Sequence, residues 1–97
     1  MGNMERGALT EPMFYVLMSL LHRDMCGTEI TEFVQTRTKG RVVLGPGTLY
    51  GAIQSLVKKD WIRIYSEDTE SRKKKEYLIT EAGRTVFEEE RKRLSEL

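Results

Sequence analysis

Ninety-seven residues make one domain with a modest core, and 39% apolar against 32% charged residues places the chain among globular rather than disordered proteins. A net charge of +1 argues neither for nor against nucleic acid, so only its distribution informs. One cysteine, Cys26, and one histidine, His22, exclude an internal disulfide framework and a histidine metal cluster. No apolar run reaches membrane-span length and the start lacks a signal-peptide core, so the expectation is a cytoplasmic protein without a membrane partner.

Residues Met1 to Ala8 read as a lead-in. Thr10 is placed to N-cap a first helix with Pro12 in its opening turn. From Met13 to Leu21 two apolar stripes run along that helix, one of Phe14, Leu17, Met18 and Leu21, the other of Met13, Val16 and Leu20. A helix apolar on most sides is buried on most sides. Its first stripe is therefore expected at a subunit interface, with a central core helix as an equal alternative. After a turn at Arg23, Asp24 and Gly27, a second helix spans about Thr28 to Arg37, with Ile30, Phe33 and Val34 inward and Lys39-Gly40 ending it. Arg41 to Gly45 then reads as a short β-prone segment.

Pro46 to Lys59 forms the central helix. Leu49, Ala52, Ile53 and Leu56 recur at three- and four-residue steps and make its inner stripe. The opposite face carries Gly47, Gly51, Gln54 and Lys58, flanked by Thr48, Tyr50 and Ser55. Two glycines weaken a helix but leave a smooth surface, and the hydroxyls, amide and lysine around them are groups that read base edges and phosphates. Taken alone, the stretch reads slightly better as an ordinary amphipathic helix with a polar outside.

Beyond Asp60 the period changes to two. Ile62 and Ile64 share a face, residues Ser66 to Lys74 are polar, and Lys75 to Ile79 returns as a second strand, which together read as a hairpin. Arg72, Lys73, Lys74 and Lys75 form a run of cations suited to a phosphate backbone, partly neutralised by Glu67, Asp68 and Glu70. Thr80 caps a last helix whose Phe87, Leu94 and Leu97 share one face. That sparse stripe fits a helix packed on a partner or draped over its own domain. The aromatics Phe14, Tyr15, Trp61, Tyr65 and Tyr77 read as packing rather than as a ligand site.

The predicted order is helix, helix, short strand, helix, strand, polar tip, strand, helix. This is an α+β, mostly helical class: a winged helix-turn-helix over residues 1–80 with an added C-terminal dimerisation helix over 81–97. The outer face of the third helix (Thr48, Tyr50, Gly51, Gln54, Ser55 and Lys58) and the hairpin cations (Arg72, Lys73, Lys74 and Lys75) then fall on one surface that suits double-stranded DNA. The dimer surface is expected at Phe14, Leu17, Met18, Leu21, Phe87, Leu94 and Leu97. Cys26 lacks a histidine partner at motif spacing, and Gly45-Pro46-Gly47 lacks the lysine-serine ending of a phosphate-binding loop, so no enzyme, metal or cofactor is expected. The rival to a DNA-binding regulator is a winged-helix module that binds only protein.

Three motifs carry a family resemblance. Leu44-Gly45-Pro46-Gly47-Thr48-Leu49-Tyr50 resembles the P-G-T-L-Y signature of the phenolic-acid-responsive regulators, PadR. Gly27-Thr28-Glu29-Ile30 is similar to that family's G-Y-E-I, and Lys75 to Arg84 resembles its K-Y-Y-x-L-T-E-A-G-R. The departures are Thr28 for the usual tyrosine, Gly51 where proline is common, and Glu76 for an aromatic. The resemblance covers about Leu9 to Arg84 and includes the family's branch with a short last helix. It implies a homodimeric repressor, bound to a (pseudo)palindromic operator and released by a small aromatic or drug-like effector.

Overall fold

The computed structural model describes residues 9–68 and 73–95, with side chains at 66–68 and 73–74 outside the description. Three helices, α1 (Glu11–His22), α2 (Gly27–Arg37) and α3 (Pro46–Lys58), precede an antiparallel hairpin of β1 (Ile62–Asp68) and β2 (Lys73–Ile79), and α4 (Glu81–Ser95) closes the order. Ile62 pairs with Ile79 and Asp68 with Lys73, so the hairpin stays in register along its described length.

The helices begin where their caps dictate. Thr10 accepts a hydrogen bond from the Met13 amide at the head of α1. Cys26 is the N-cap of α2, and its backbone N–H donates to Glu29 Oε1 at 2.9 Å, half of a capping box. Pro46 occupies the first turn of α3. Both helices of the helix-turn-helix end in the same way. Gly40 N–H donates to Gln35 and Lys39 N–H to Thr36, while Trp61 N–H donates to Leu56 and Asp60 N–H to Val57. These paired bonds make two Schellman turns, with Lys39 and Asp60 in the left-handed region at φ 56° and 60°. The second turn swings the chain directly from α3 into the hairpin.

The core gathers Met13, Val16, Leu17 and Leu20 of α1, Ile30 and Val34 of α2, Leu49, Ile53 and Leu56 of α3, Ile62, Tyr77 and Ile79 of the hairpin, and Phe87 of α4. Leu17 and Phe87 are thus corrections to the expected dimer surface. Leu17 is wholly buried by its own chain, and Phe87 is 3% exposed with its ring stacked on Phe14 at 4.8 Å between centroids. The apolar girth of α1 is satisfied by three neighbouring helices and the sheet, so most of it needs no second subunit.

The expected strand at 41–45 is absent. Thr38 claims that segment: its Oγ1 accepts from Val42 N–H at 3.0 Å and donates to the Val34 carbonyl at 2.9 Å. With its amide tied locally, Val42 starts no ladder, and Val43 is left 60% exposed. The hairpin finds its extra partner elsewhere. Met25 and Tyr77 exchange both backbone hydrogen bonds, at 2.9 and 3.3 Å, which ties the link between α1 and α2 to β2.

Candidate nucleic-acid interface

On α3, burial of Leu49, Ala52, Ile53 and Leu56 fixes the rotation of the helix. The same rotation turns Gly47, Thr48, Tyr50, Gly51, Gln54 and Lys58 to the exposed side, with Ser55 half-buried at its margin. A Cβ built on Gly47 or Gly51 meets nothing within 4 Å among the described residues. These two glycines are therefore not required by packing inside the chain.

Tyr50 departs from the expected free reach. A Cβ on Gly27 would lie 2.5 Å from the Tyr50 hydroxyl oxygen and 3.2 Å from Cζ, so the hydroxyl end of the ring rests on the first turn of α2. Tyr50 remains 49% exposed and lines a groove together with Gly51. Gly27 thus earns its place in the second motif by letting the side chain from α3 close over α2.

The hairpin stands beside α3 as a wing. Lys75 is exposed on the strand face that also carries Tyr77 and Ile79. Register sets Lys75 opposite Ser66, Lys74 opposite Glu67 and Lys73 opposite Asp68. Arg72 lies outside the described residues, as does Leu97 of the expected dimer stripe.

The base of the wing is braced. The Tyr65 hydroxyl donates to its cross-strand neighbour Glu76 at 2.8 Å and lies 3.4 Å from Asp24 Oδ2 in the loop before α2. Ionising that phenol would set a phenolate against carboxylates, which pushes its pKa up to about 12, chiefly through the Glu76 hydrogen bond. Because the folded pKa lies above the ordinary value, this contribution is complete below pH about 10 and is lost as the pH rises through about 12. Denaturant titrations from pH 9 to 12 should therefore show a fall in stability that is shallower in Tyr65→Phe. Parallel pH profiles for the two proteins would show the brace to be silent. Earlier on the same strand, the Arg63 guanidinium hydrogen-bonded to Asp60 at 3.1 Å holds that carboxyl below its usual range.

The third motif explains the junction between wing and α4. Thr80 Oγ1 donates to the Asp60 carbonyl at 2.7 Å and accepts from Gly83 N–H at 3.1 Å, which caps α4. Thr80 N–H donates to the Trp61 carbonyl at 3.0 Å. Gly83 lies against that same carbonyl, so closely that a Cβ there would overlap its oxygen. This contact, invisible in the helical pattern, needs glycine at the position.

Beyond Phe87, α4 carries the surface ion pairs Arg91–Glu88 and Arg93–Glu90, at 2.8 and 2.6 Å. Leu94 is 43% exposed, and Phe14, Met18 and Leu21 are half-buried on α1. These are the residues of the expected dimer surface that the described chain leaves at least partly open. No group of three or more candidate metal ligands occurs among the described residues, and none of the described helices is long and apolar enough to cross a membrane.

Helix-turn-helix, adjoining wing and a trailing helix together define a winged-helix protein of the transcription-regulator type. The chain belongs to the PadR-like family of transcriptional regulators, whose profile matches residues 16–89; the family is one of regulators and not of enzymes. It is 33% identical over 75 residues to an uncharacterised protein of Lysinibacillus sphaericus, covering 76% of this chain and 69% of that one. A transcriptional regulator of Clostridium thermocellum, Cth-833, shares the fold with a TM-score of 0.79 at 22% identity, over 98% of this chain and 89% of that chain. Bacillus subtilis PadR, solved in complex with operator DNA, aligns with a TM-score of 0.74 at 16% identity, over 84% of this chain and 46% of that chain.

Proposed function

We propose that this regulator is a cytoplasmic homodimeric repressor that binds a (pseudo)palindromic operator with the outer face of α3 in the major groove, and that a small aromatic or drug-like effector releases it. The observation that carries the reading is the face itself. Gly47 and Gly51 are open to 4 Å and more, and Thr48, Gln54 and Lys58 stand exposed around them. Groups of this kind read base edges when a helix can approach closely. Family membership supports the regulatory role, and the operator complex of Bacillus subtilis PadR supports the choice of DNA as partner.

Arg72, Lys73, Lys74 and Lys75 supply the sequence-independent part of binding in this reading. Replacing two of the four with alanine should make the plot of log affinity against log salt shallower by about two units. An unchanged slope, measured by fluorescence anisotropy on the operator, would place these cations in solvent.

The dimer surface is proposed where Leu94 of α4 and Phe14, Met18 and Leu21 of α1 remain open, related by a twofold axis that matches operator symmetry. Leu94→Glu should shift the sedimentation profile toward monomer and weaken operator binding together. Phe87→Glu would instead report on folding, because Phe87 fills the core. Wild-type protein that sediments as a monomer at micromolar concentration would count against the dimer.

A further inference from the structure

Between the outer face of α3 and the base of the wing runs a groove of about 490 Å³. Its lining includes Gly47, Tyr50, Gly51, Gln54, Ile64 and Tyr77, and none of its lining residues is charged. Ile64 is the unusual member. It shares a sheet face with Ile62, which is completely buried, yet Ile64 is 46% exposed. The hairpin carries it past the edge of the core and sets it opposite Tyr77, facing the groove. Tyr50, 49% exposed, lines the same groove, and its hydroxyl oxygen lies close against Gly27.

An apolar wall without a cation does not suit a phosphate. It lies nonetheless beside the helix face that, in the reading above, enters the major groove. The one apolar group that a base pair displays there is the C5-methyl of thymine. We propose that this groove takes a thymine methyl in each half-site, with Ile64 and Tyr50 as its walls and Gly47 and Gly51 admitting the base. The proposal rests on α3 being the recognition helix. It makes a wing residue a reader of sequence, whereas the wing cations contact only phosphates. Gln54, lining the same groove, is placed to bond the edge of a neighbouring base.

The test uses the full chain and an operator selected from random DNA. Each thymine is replaced in turn by deoxyuridine, which removes one methyl and no hydrogen-bonding group. Wild-type affinity should fall about three- to tenfold at one position per half-site and stay level at the others, as expected for burying one methyl group. Ile64→Ala should lose a similar factor on the thymine operator and nothing further on the deoxyuridine one. Circular dichroism should be unchanged, since Ile64 lies outside the core cluster. Affinity indifferent to every thymine methyl overturns the inference while leaving α3 as the recognition helix. Equal loss by Ile64→Ala on both operators also overturns it and assigns Ile64 to the sugar-phosphate backbone. Failure to select any DNA sequence would overturn the recognition-helix reading and this inference with it.

Discussion

Gly51→Leu protein is expected to fold normally and to lose specific operator binding, dropping to its non-specific affinity, a fall of about a thousandfold or more. Gly51 sits between Tyr50 and Gln54 on the exposed side of α3, with nothing among the described residues within 4 Å of its missing Cβ. A Cβ there collides with no described neighbour. It also removes the entropic penalty of a mid-helix glycine, about 1 kcal/mol. Thermal stability should therefore hold or rise. Against DNA the result is opposite, because the added side chain holds the helix off the groove and separates every base contact at once. Anisotropy with operator and random duplexes measures the loss, and circular dichroism controls for folding. Folded Gly51→Leu protein that binds its operator like wild type would keep α3 out of the groove and favour the protein-interaction module.

Gly83→Ala should act by a different route, destabilising the fold by about 3 kcal/mol, at the upper end of what overpacking costs. The obstacle is backbone. A methyl at residue 83 would overlap the Trp61 carbonyl oxygen, which already accepts from Thr80 N–H, and would crowd Ile79 Cγ1 at 2.9 Å. A flexible side chain could swing aside, but this carbonyl is pinned by the Schellman turn that ends α3 and by the start of β1. Relief requires α4 to move off the wing, which also disturbs Phe87 against Phe14. Urea unfolding measures the effect. A midpoint within experimental error of wild type would mean that the contact is loose.

The two glycines show what the sequence discloses and what it withholds. Gly51 was legible because the apolar stripe of α3 fixes which side faces out, and a glycine opposite that stripe has no packing role. Gly83 is part of a recognisable motif, but its partner, the Trp61 carbonyl, lies far along the chain and leaves no periodic signal. The same division runs through the fold. Caps at Thr10 and Thr80, the proline at the first turn of α3 and the change of period after Asp60 mark local events, so the helices and hairpin are readable. The strand expected at 41–45 rested on β-propensity, and the Thr38 hydroxyl overrode it. The real extra pairing, Met25 with Tyr77, joins segments that share no local pattern. The all-round apolar α1 and the sparse stripe of α4 point Leu17 and Phe87 toward a partner, whereas packing within the chain buries both. At the candidate interface, the position of each α3 residue followed from helical phase. The groove at Ile64, the Tyr50–Gly27 contact and the Tyr65 brace depend on how separate elements meet.

Selection of bound sequences from random DNA by the purified wild-type protein tests the central claim most directly. If α3 of each protomer reads the major groove, the enriched pool should converge on an inverted repeat with half-site centres about one helical turn apart, 10–10.5 bp, or a multiple of it. A pool that shows no enrichment over its starting sequences, with binding that vanishes as salt is raised, would contradict it.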